Sequence, residues 1–261
     1  MKESYAVVTG ASQGLGKSFA RQLAARQYPL ILISLPNENL PAFCSQLKAD
    51  FKVEVHCYET DLSLKENIFC LTEWINQNFS VNLLINNAGI GGTKKFEEAS
   101  ATYIAKIIQL NVLATSLLTH QLLPNLQKQQ KAYILNVSSL AAFSPIGYKT
   151  VYPASKAFIH SFSRGLYQEL KDSNVFVSVV NPGPMRTNED TTRRIDEQGF
   201  FAKITSLDPD KVAKHCLIQL EKRDTVIMVN PLSWLLLKLL PIWLKLPMLT
   251  NKIKREISIT S

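Results

Sequence analysis

The chain is poor in cysteine. Cys44, Cys57, Cys70 and Cys216 are far apart and form no CxxC pair. That spacing excludes a cysteine-ligated metal centre and a disulfide framework. Free thiols in a reducing compartment are expected. The four histidines are scattered without metal-ligand spacing. His160 reads as a helix-surface or packing residue. No GxSxG elbow is present, so acyl transfer by that route is excluded. The net charge is +8 with a pI near 9.3, yet no basic stripe interleaved with aromatics runs through the body, so no nucleic-acid partner is expected. Part of the excess charge lies late, in Lys238, Lys245, Lys252, Lys254 and Arg255. An anionic membrane surface or an anionic cofactor remains as its counterpart. The opening "MKESYAVVTG" lacks the apolar run of a signal peptide, and a cytoplasmic protein is expected. No linker, short repeat or low-complexity block divides the 261 residues. One domain is expected over 1–230, followed by an apolar, basic tail over 231–261.

What is present is alternation. Short apolar runs occur at Tyr5–Val8, Leu30–Ser34, Lys52–Tyr58, Val81–Asn86, Ala132–Ser138, Val175–Val180 and Thr225–Val229. Near-continuous apolar strands point to a sheet covered on both faces. Between them lie segments of helical period. Leu15, Phe19 and Leu23 line the first; Phe69 and Ile75, with Leu71 nearby, mark the third. Asp208 and Pro209 read as an N-cap and a first helical residue. Strand and helix in repetition predict an α/β fold: a doubly wound, Rossmann-like parallel sheet of about seven strands with helices on both faces. Met185–Leu207 and the tail from Pro231 break the alternation. Both are candidates for a substrate-covering element.

Two stretches carry chemistry. "TGASQGLG" (Thr9–Gly16) sets Gly10, Gly14 and Gly16 where the first strand turns into a helix. Glycines there permit φ > 0 and let a pyrophosphate approach the helix N-terminus. The spacing is GxxxGxG, not GxGxxG. "VYPASK" (Val151–Lys156) sets Tyr152 and Lys156 four residues apart, hence on one helix face. Pro153 fits only the first turn, which places Tyr152 at the opening of the helix, facing a cleft. A tyrosine and a lysine on one face suit proton transfer. A phenol can give the proton, and a neighbouring ammonium lowers its pKa from about 10. Asn111, inside the apolar "IIQLNVLATSLL", reads equally as a backbone cap or as a functional amide.

In this order the motifs resemble the short-chain dehydrogenase/reductase family, over the chain to about Val229. "TGASQGLG", "NNAG" (Asn86–Gly89), Asp61 in "TDLS", "NVSS" (Asn136–Ser139), "VYPASK" and "NPGP" (Asn181–Pro184) carry the likeness. The resemblance implies a catalytic set of Asn111, Ser139, Tyr152 and Lys156. Ser139 would hydrogen-bond the substrate oxygen, with adjacent Ser138 on the other side of the strand. Asn111 would belong to a water-mediated proton path towards Lys156, which would also hold the nicotinamide ribose. The resemblance further implies a dinucleotide on Gly10, Ser12, Gln13, Gly14, Leu15 and Gly16. Asp61 and Leu62 would lie at the adenine. Asn87, Ala88 and Gly89 would lie near the adenosine half, and Pro182, Gly183 and Thr187 near the nicotinamide. A homodimer or homotetramer is the implied assembly.

Ser34 stands where an acid would select NAD(H) through the ribose 2′-hydroxyl, so NADP(H) is favoured. NAD(H) stays open, since Leu35 replaces the usual arginine and Glu38 argues the other way if its loop folds inward. Lys17 is either an aid to the phosphate or a solvated helix lysine. The tail "PLSWLLLKLLPIWLKLPML" (Pro231–Leu249) is too interrupted by lysine and proline to span a bilayer. It is expected to line a lipophilic pocket, pack on another subunit, or lie in a membrane surface through 231–255. Each reading favours a lipophilic ketone or secondary alcohol, of ketosteroid or long-chain 3-oxoacyl type. The competing classes are a non-catalytic NAD(P)-binding sensor or scaffold, and an epimerase or dehydratase using the same tyrosine and lysine. The first would lack the tyrosine or lysine; the second would show GxxGxxG and a longer C-terminal domain.

Overall fold

The computed structural model describes residues 4–185 and 207–260. Seven parallel strands form one sheet in the order β3-β2-β1-β4-β5-β6-β7. They are β1 (Ser4–Thr9), β2 (Leu30–Ser34), β3 (Val55–Glu59), β4 (Ser80–Asn86), β5 (Ala132–Val137), β6 (Val175–Val180) and β7 (Val226–Ile227). The helices are α1 (Gly14–Ala24), α2 (Leu40–Phe51), α3 (Lys65–Asn78), α4 (Ala101–Ile108), α5 (Thr115–Gln127), α6 (Val151–Leu170), α7 (Pro209–Glu221), α8 (Pro231–Leu239) and α9 (Ile242–Thr260). A Rossmann-like doubly wound sheet results, with a core on each face. Phe19, Leu23, Leu32 and Leu217 belong to one core; Ile31, Ile75, Leu84 and Leu118 belong to the other. Successive strand residues feed opposite cores, as the two-residue period requires.

Three local readings shift. The third strand begins at Val55, because Lys52 turns left-handed (φ 57°) to close α2. As the edge strand, β3 is only partly covered, and its burial alternates. On α3 the buried stripe is Ile68, Leu71, Thr72 and Ile75. Phe69, one step round the helix from that stripe, is exposed. Asp208 caps α7 as its sequence predicts, accepting from the Asp210 amide at 2.9 Å with Pro209 in the first turn.

The sheet reverses its winding between β1 and β4, which sit side by side. Ligands of doubly wound sheets bind outside the carboxyl ends at such a point. The chain leaves that edge at Gly10, Asn87, Ser138 and Asn181, so four of the quoted motifs converge there by topology alone. A cleft of about 640 Å³ opens elsewhere, among Ser4, Asn76, Asn125 and Lys131. It lies at the strands' amino ends. The Asn125 amide beside it is spent on Val81 N, Asn76 and Phe79 O, which is a structural duty.

Candidate active site

The glycine turn is built by close approach. Gly10 (φ +64°) and Gly14 (φ +53°) hold left-handed conformations, which glycine adopts without strain. A Cβ on Gly16 would lie 2.0 Å from Gly10 O, so α1 packs on the turn only with hydrogen there. Gln13, the N-cap of α1, makes no side-chain cap hydrogen bond. The first-turn amides are thus not capped by the Gln13 side chain, which suits an anion cradle. Thr9 fixes the cradle's far wall. Its hydroxyl accepts from Asn87 N and Ala88 N, both at 2.9 Å. Asn87 Nδ2 donates to Thr9 O and Gly10 O at 2.9 and 3.2 Å. These residues fit a dinucleotide diphosphate.

Around the turn the predicted contacts divide. Ser34 is buried, and its hydroxyl donates to Leu35 O at 2.9 Å. The hydroxyl is thus turned back on its own chain. Glu38 comes inward instead: its carboxylate accepts from the Ser12 hydroxyl. The ammonium of Lys17 stacks over the Phe43 ring, 4.9 Å from its centroid. Asp61 Oδ1 accepts from Ser63 N and Ser63 Oγ at 2.9 and 2.7 Å. Burial, the largest single influence, works to raise the Asp61 pKa, but those two bonds together with the charge of Lys106 leave the carboxyl lowered. Asp61 thus shapes the turn into α3, and Leu62 beside it is buried. Pro182 O accepts from Leu140 N at 3.0 Å, joining the "NPGP" turn to the segment after Ser139. At Gly183 a Cβ would meet nothing closer than 3.5 Å, so space does not demand glycine there. Thr187 lies outside the described residues, as does most of Met185–Leu207.

The second half of the site gathers on α6. Pro153 sits in the first turn of that helix, as its ring requires. The Ser139 side chain acts on the Tyr152 phenol, working to lower its pKa. Ser138 turns away, its hydroxyl donating to Lys156 O at 2.7 Å. Lys156 is 6% exposed; its Nζ donates to Val137 O at 2.9 Å and stands 6.0 Å from the Tyr152 ring centroid. Gly89 and Gly91 press against the pair. Added Cβ atoms would lie 3.3 Å from Lys156 Nζ and 3.3 Å from the Tyr152 ring.

Asn111 is carried by a π-helical turn, Gln109–Ala114, between α4 and α5. Such turns insert an extra residue and often mark functional sites. Asn111 Oδ1 accepts from Ile90 N, and Nδ2 donates to Ile90 O and Ser155 Oγ, all at 2.9 Å. It does cap backbone, but that of the β4–α4 loop rather than of its own helix. Sequence reading overlooked Thr9 and Ser155. Both lie inside quoted motifs, yet their partners are remote or across the helix. Asn86 Nδ2 donates to Asn136 Oδ1 and Asn136 Nδ2 to Ser163 Oγ, each at 2.9 Å. This buried amide ladder runs from β4 through β5 to α6.

Electrostatics correct one expectation. The neighbouring ammonium is expected to pull the phenol down. Burial instead pushes the Tyr152 phenol up, and the Ser139 hydrogen bond only partly offsets it. Burial likewise lowers Lys156 from 10.5 to about 8. That depression corresponds to a cost of about 3 kcal/mol for carrying the charge at neutral pH. Below pH 8 the folded lysine is charged and the full cost applies. Between pH 8 and 10.5 the unfolded chain binds more protons, so this group's contribution makes stability rise with pH. Lys156→Met should therefore stabilise the protein at pH 7, by an amount somewhat below that cost, since the bond to Val137 O is lost. The gain should shrink towards pH 10. Denaturant titrations at pH 7 and 9.5 check this; a variant no more stable than the parent at pH 7 contradicts it.

Known proteins carry the same architecture. The family model for short chain dehydrogenase matches residues 4–198. A very-long-chain 3-oxoacyl-CoA reductase of Macaca fascicularis is 29% identical, over 96% of this chain and 80% of its own. The structure of a short-chain dehydrogenase from Sphingobium yanoikuyae in complex with NADPH superposes with TM-score 0.78, at 26% identity, covering 88% of this chain and 91% of that one. A short chain dehydrogenase/reductase from Burkholderia phymatum in complex with NAD gives TM-score 0.80 at 25% identity, over 91% and 92%. With the family match over most of its length, and the turn and tyrosine–lysine helix that its own residues build, the chain belongs to the short-chain dehydrogenases, an oxidoreductase family.

Proposed function

We propose that this protein interconverts a ketone and a secondary alcohol on a lipophilic substrate, of long-chain 3-oxoacyl or ketosteroid type. The observation that carries the reading is the Tyr152 phenol acted on by the Ser139 side chain and backed by a buried Lys156, at the switch-point edge of the sheet. A bound nicotinamide would supply or accept the hydride. Tyr152 Oη delivers the proton to the carbonyl oxygen in reduction and takes it back in oxidation. A neutral phenol is the form needed for donation, and its raised pKa keeps it so. The Ser139 hydroxyl donates to the same oxygen as charge develops. Lys156 stabilises the phenolate left behind, and its own depressed pKa lets it pass a proton to it near pH 8. Asn111 fixes Ile90 and so the glycine loop pressed on both side chains.

The lipophilic class rests on the names borne by relatives and on the tail. Phe143 stands beside Ser139's turn, and Trp234 of α8 faces it with ring centroids 6.3 Å apart. A screen of medium-chain and long-chain 3-oxoacyl thioesters, ketosteroids and small polar ketones, followed by nicotinamide absorbance, tests it. Turnover only on polar ketones would refute the substrate class. Tight cofactor binding with no turnover at all would favour the sensor reading.

For the cofactor, the inward Glu38 outweighs the missing acid at Ser34. Its carboxylate on Ser12 sets negative charge at the end of β2, where a ribose 2′-hydroxyl is bound and a 2′-phosphate repelled. This supports NAD(H) where Ser34 favours NADP(H), and we propose NAD(H) as the preferred cofactor. Glu38→Gln should raise kcat/KM for NADPH at least tenfold and leave NADH within threefold. A parent enzyme that already prefers NADPH would overturn this.

A further inference from the structure

Around Lys245 the tail is turned inside out. In a helix lying on a protein in water, lysine reaches outward and leucine packs inward. In α9 Lys245 is 7% exposed, and its Nζ donates to Phe143 O at 2.8 Å and Leu237 O at 2.6 Å. Around it the apolar side chains face out. Trp243 is 73% exposed, Leu239 70%, Ile242 53% and Met248 52%. These four are gathered where α8 hands over to α9, a concentration of large exposed apolar groups that isolated surface residues do not show.

What covers this face is indicated by charge. No aspartate or glutamate occurs between residues 225 and 255, while Lys238, Lys252, Lys254 and Arg255 do. Lys238 and Lys254 are exposed. A second copy seated on the face by a two-fold axis would bring these cations against their own equivalents. A negatively charged lipid surface offers acyl chains to the tryptophan and isoleucine and headgroups to the lysines.

We propose that the α8–α9 corner is a docking face for an anionic membrane surface, with Trp243, Ile242, Leu239 and Met248 inserted at the interface and Lys238 and Lys254 at its rim. The face is fixed to the body at two points beside the site. Lys245 binds Phe143 O, and Thr250 Oγ1 accepts from Gly147 N at 3.0 Å. Both anchor points lie between Ser139 and Tyr152. Docking thus sets the loop carrying both side chains next to the lipid.

The test is flotation of the full chain with vesicles of phosphatidylcholine alone and of phosphatidylcholine with phosphatidylserine. The parent should float with the anionic vesicles, less at high salt, and at least tenfold less with neutral ones. Trp243→Ser combined with Met248→Ser should lose flotation at least tenfold, with an unchanged circular dichroism spectrum and unchanged turnover of a water-soluble ketone. Lys238→Glu should weaken binding to the anionic vesicles alone. Failure of the parent to float overturns the proposal, as does equal flotation of the double variant. So does a parent dimer, seen by sedimentation, that the double variant dissolves, which would make the face a contact between copies.

Discussion

Tyr152→Phe is expected to lower turnover about a thousandfold, within the range a positioned general acid contributes, while cofactor affinity changes less than threefold. The loss is confined to one oxygen. The ring remains, with the close packing of Gly91 against its edge. Pro153 and the first turn of α6 are untouched, and the Ser139 side chain is the polar group acting on the phenol among the described residues. Ser139 keeps its other bond, accepting from Ala141 N at 3.1 Å. The variant should therefore fold as the parent does. Steady-state rates, with nucleotide binding measured separately by fluorescence, separate the two effects. A rate within a few-fold of the parent would remove Tyr152 from the proton path, and a parallel fall in affinity would make it a binding residue instead.

Gly16→Ala is the second large effect. The added methyl would stand 2.0 Å from Gly10 O, 2.6 Å from Asn87 Nδ2 and 2.7 Å from Gly10 C. Two of these atoms are backbone, so no side-chain rotation relieves the clash. The turn must open, and with it the pairing of Asn87 with Thr9 O and Gly10 O. Overpacking of this kind costs about 1–3 kcal/mol, and the dinucleotide cradle is lost in the same movement. Cofactor affinity should fall at least a hundredfold, with a clear drop in the denaturation midpoint. Gly165→Ala is the control. Gly165 is exposed within α6 and a Cβ there meets nothing within 4 Å. That change should stabilise by about 0.5–1 kcal/mol through helix propensity. If both alanines behave alike, the close approach at Gly16 is not what holds the turn.

These contrasts show where sequence reading reaches and where it stops. The strands were legible because a covered parallel strand is apolar almost throughout. Leu30–Ser34 and Val175–Val180 agree to the residue. The edge strand was the least legible, since half its residues face water and lose the signal. Tyr152, Lys156, Ser139 and the glycines were legible because each motif is local. Glu38 on Ser12, Lys245 on Phe143 O and Asn111 on Ile90 were not. Each joins positions 21 to 102 residues apart, and nothing in one segment announces its partner. The phenol's pKa was misjudged for a related reason. Spacing reports that a cation is near, but not how dry the surroundings are.

The amide ladder from Asn86 through Asn136 to Ser163 has a consequence for how the helix is aimed. Ser163 follows Lys156 by seven residues, two turns on, and so points the same way. Hydrophobic contacts tolerate a helix rolling about its long axis, whereas a hydrogen bond of 2.9 Å does not. A roll of about 10° would swing a side-chain tip at roughly 6 Å radius by about 1 Å, a misplacement able to cost a hundredfold in rate. Angular accuracy at the reacting oxygen of Tyr152 is thus set about three turns away, at Ser163.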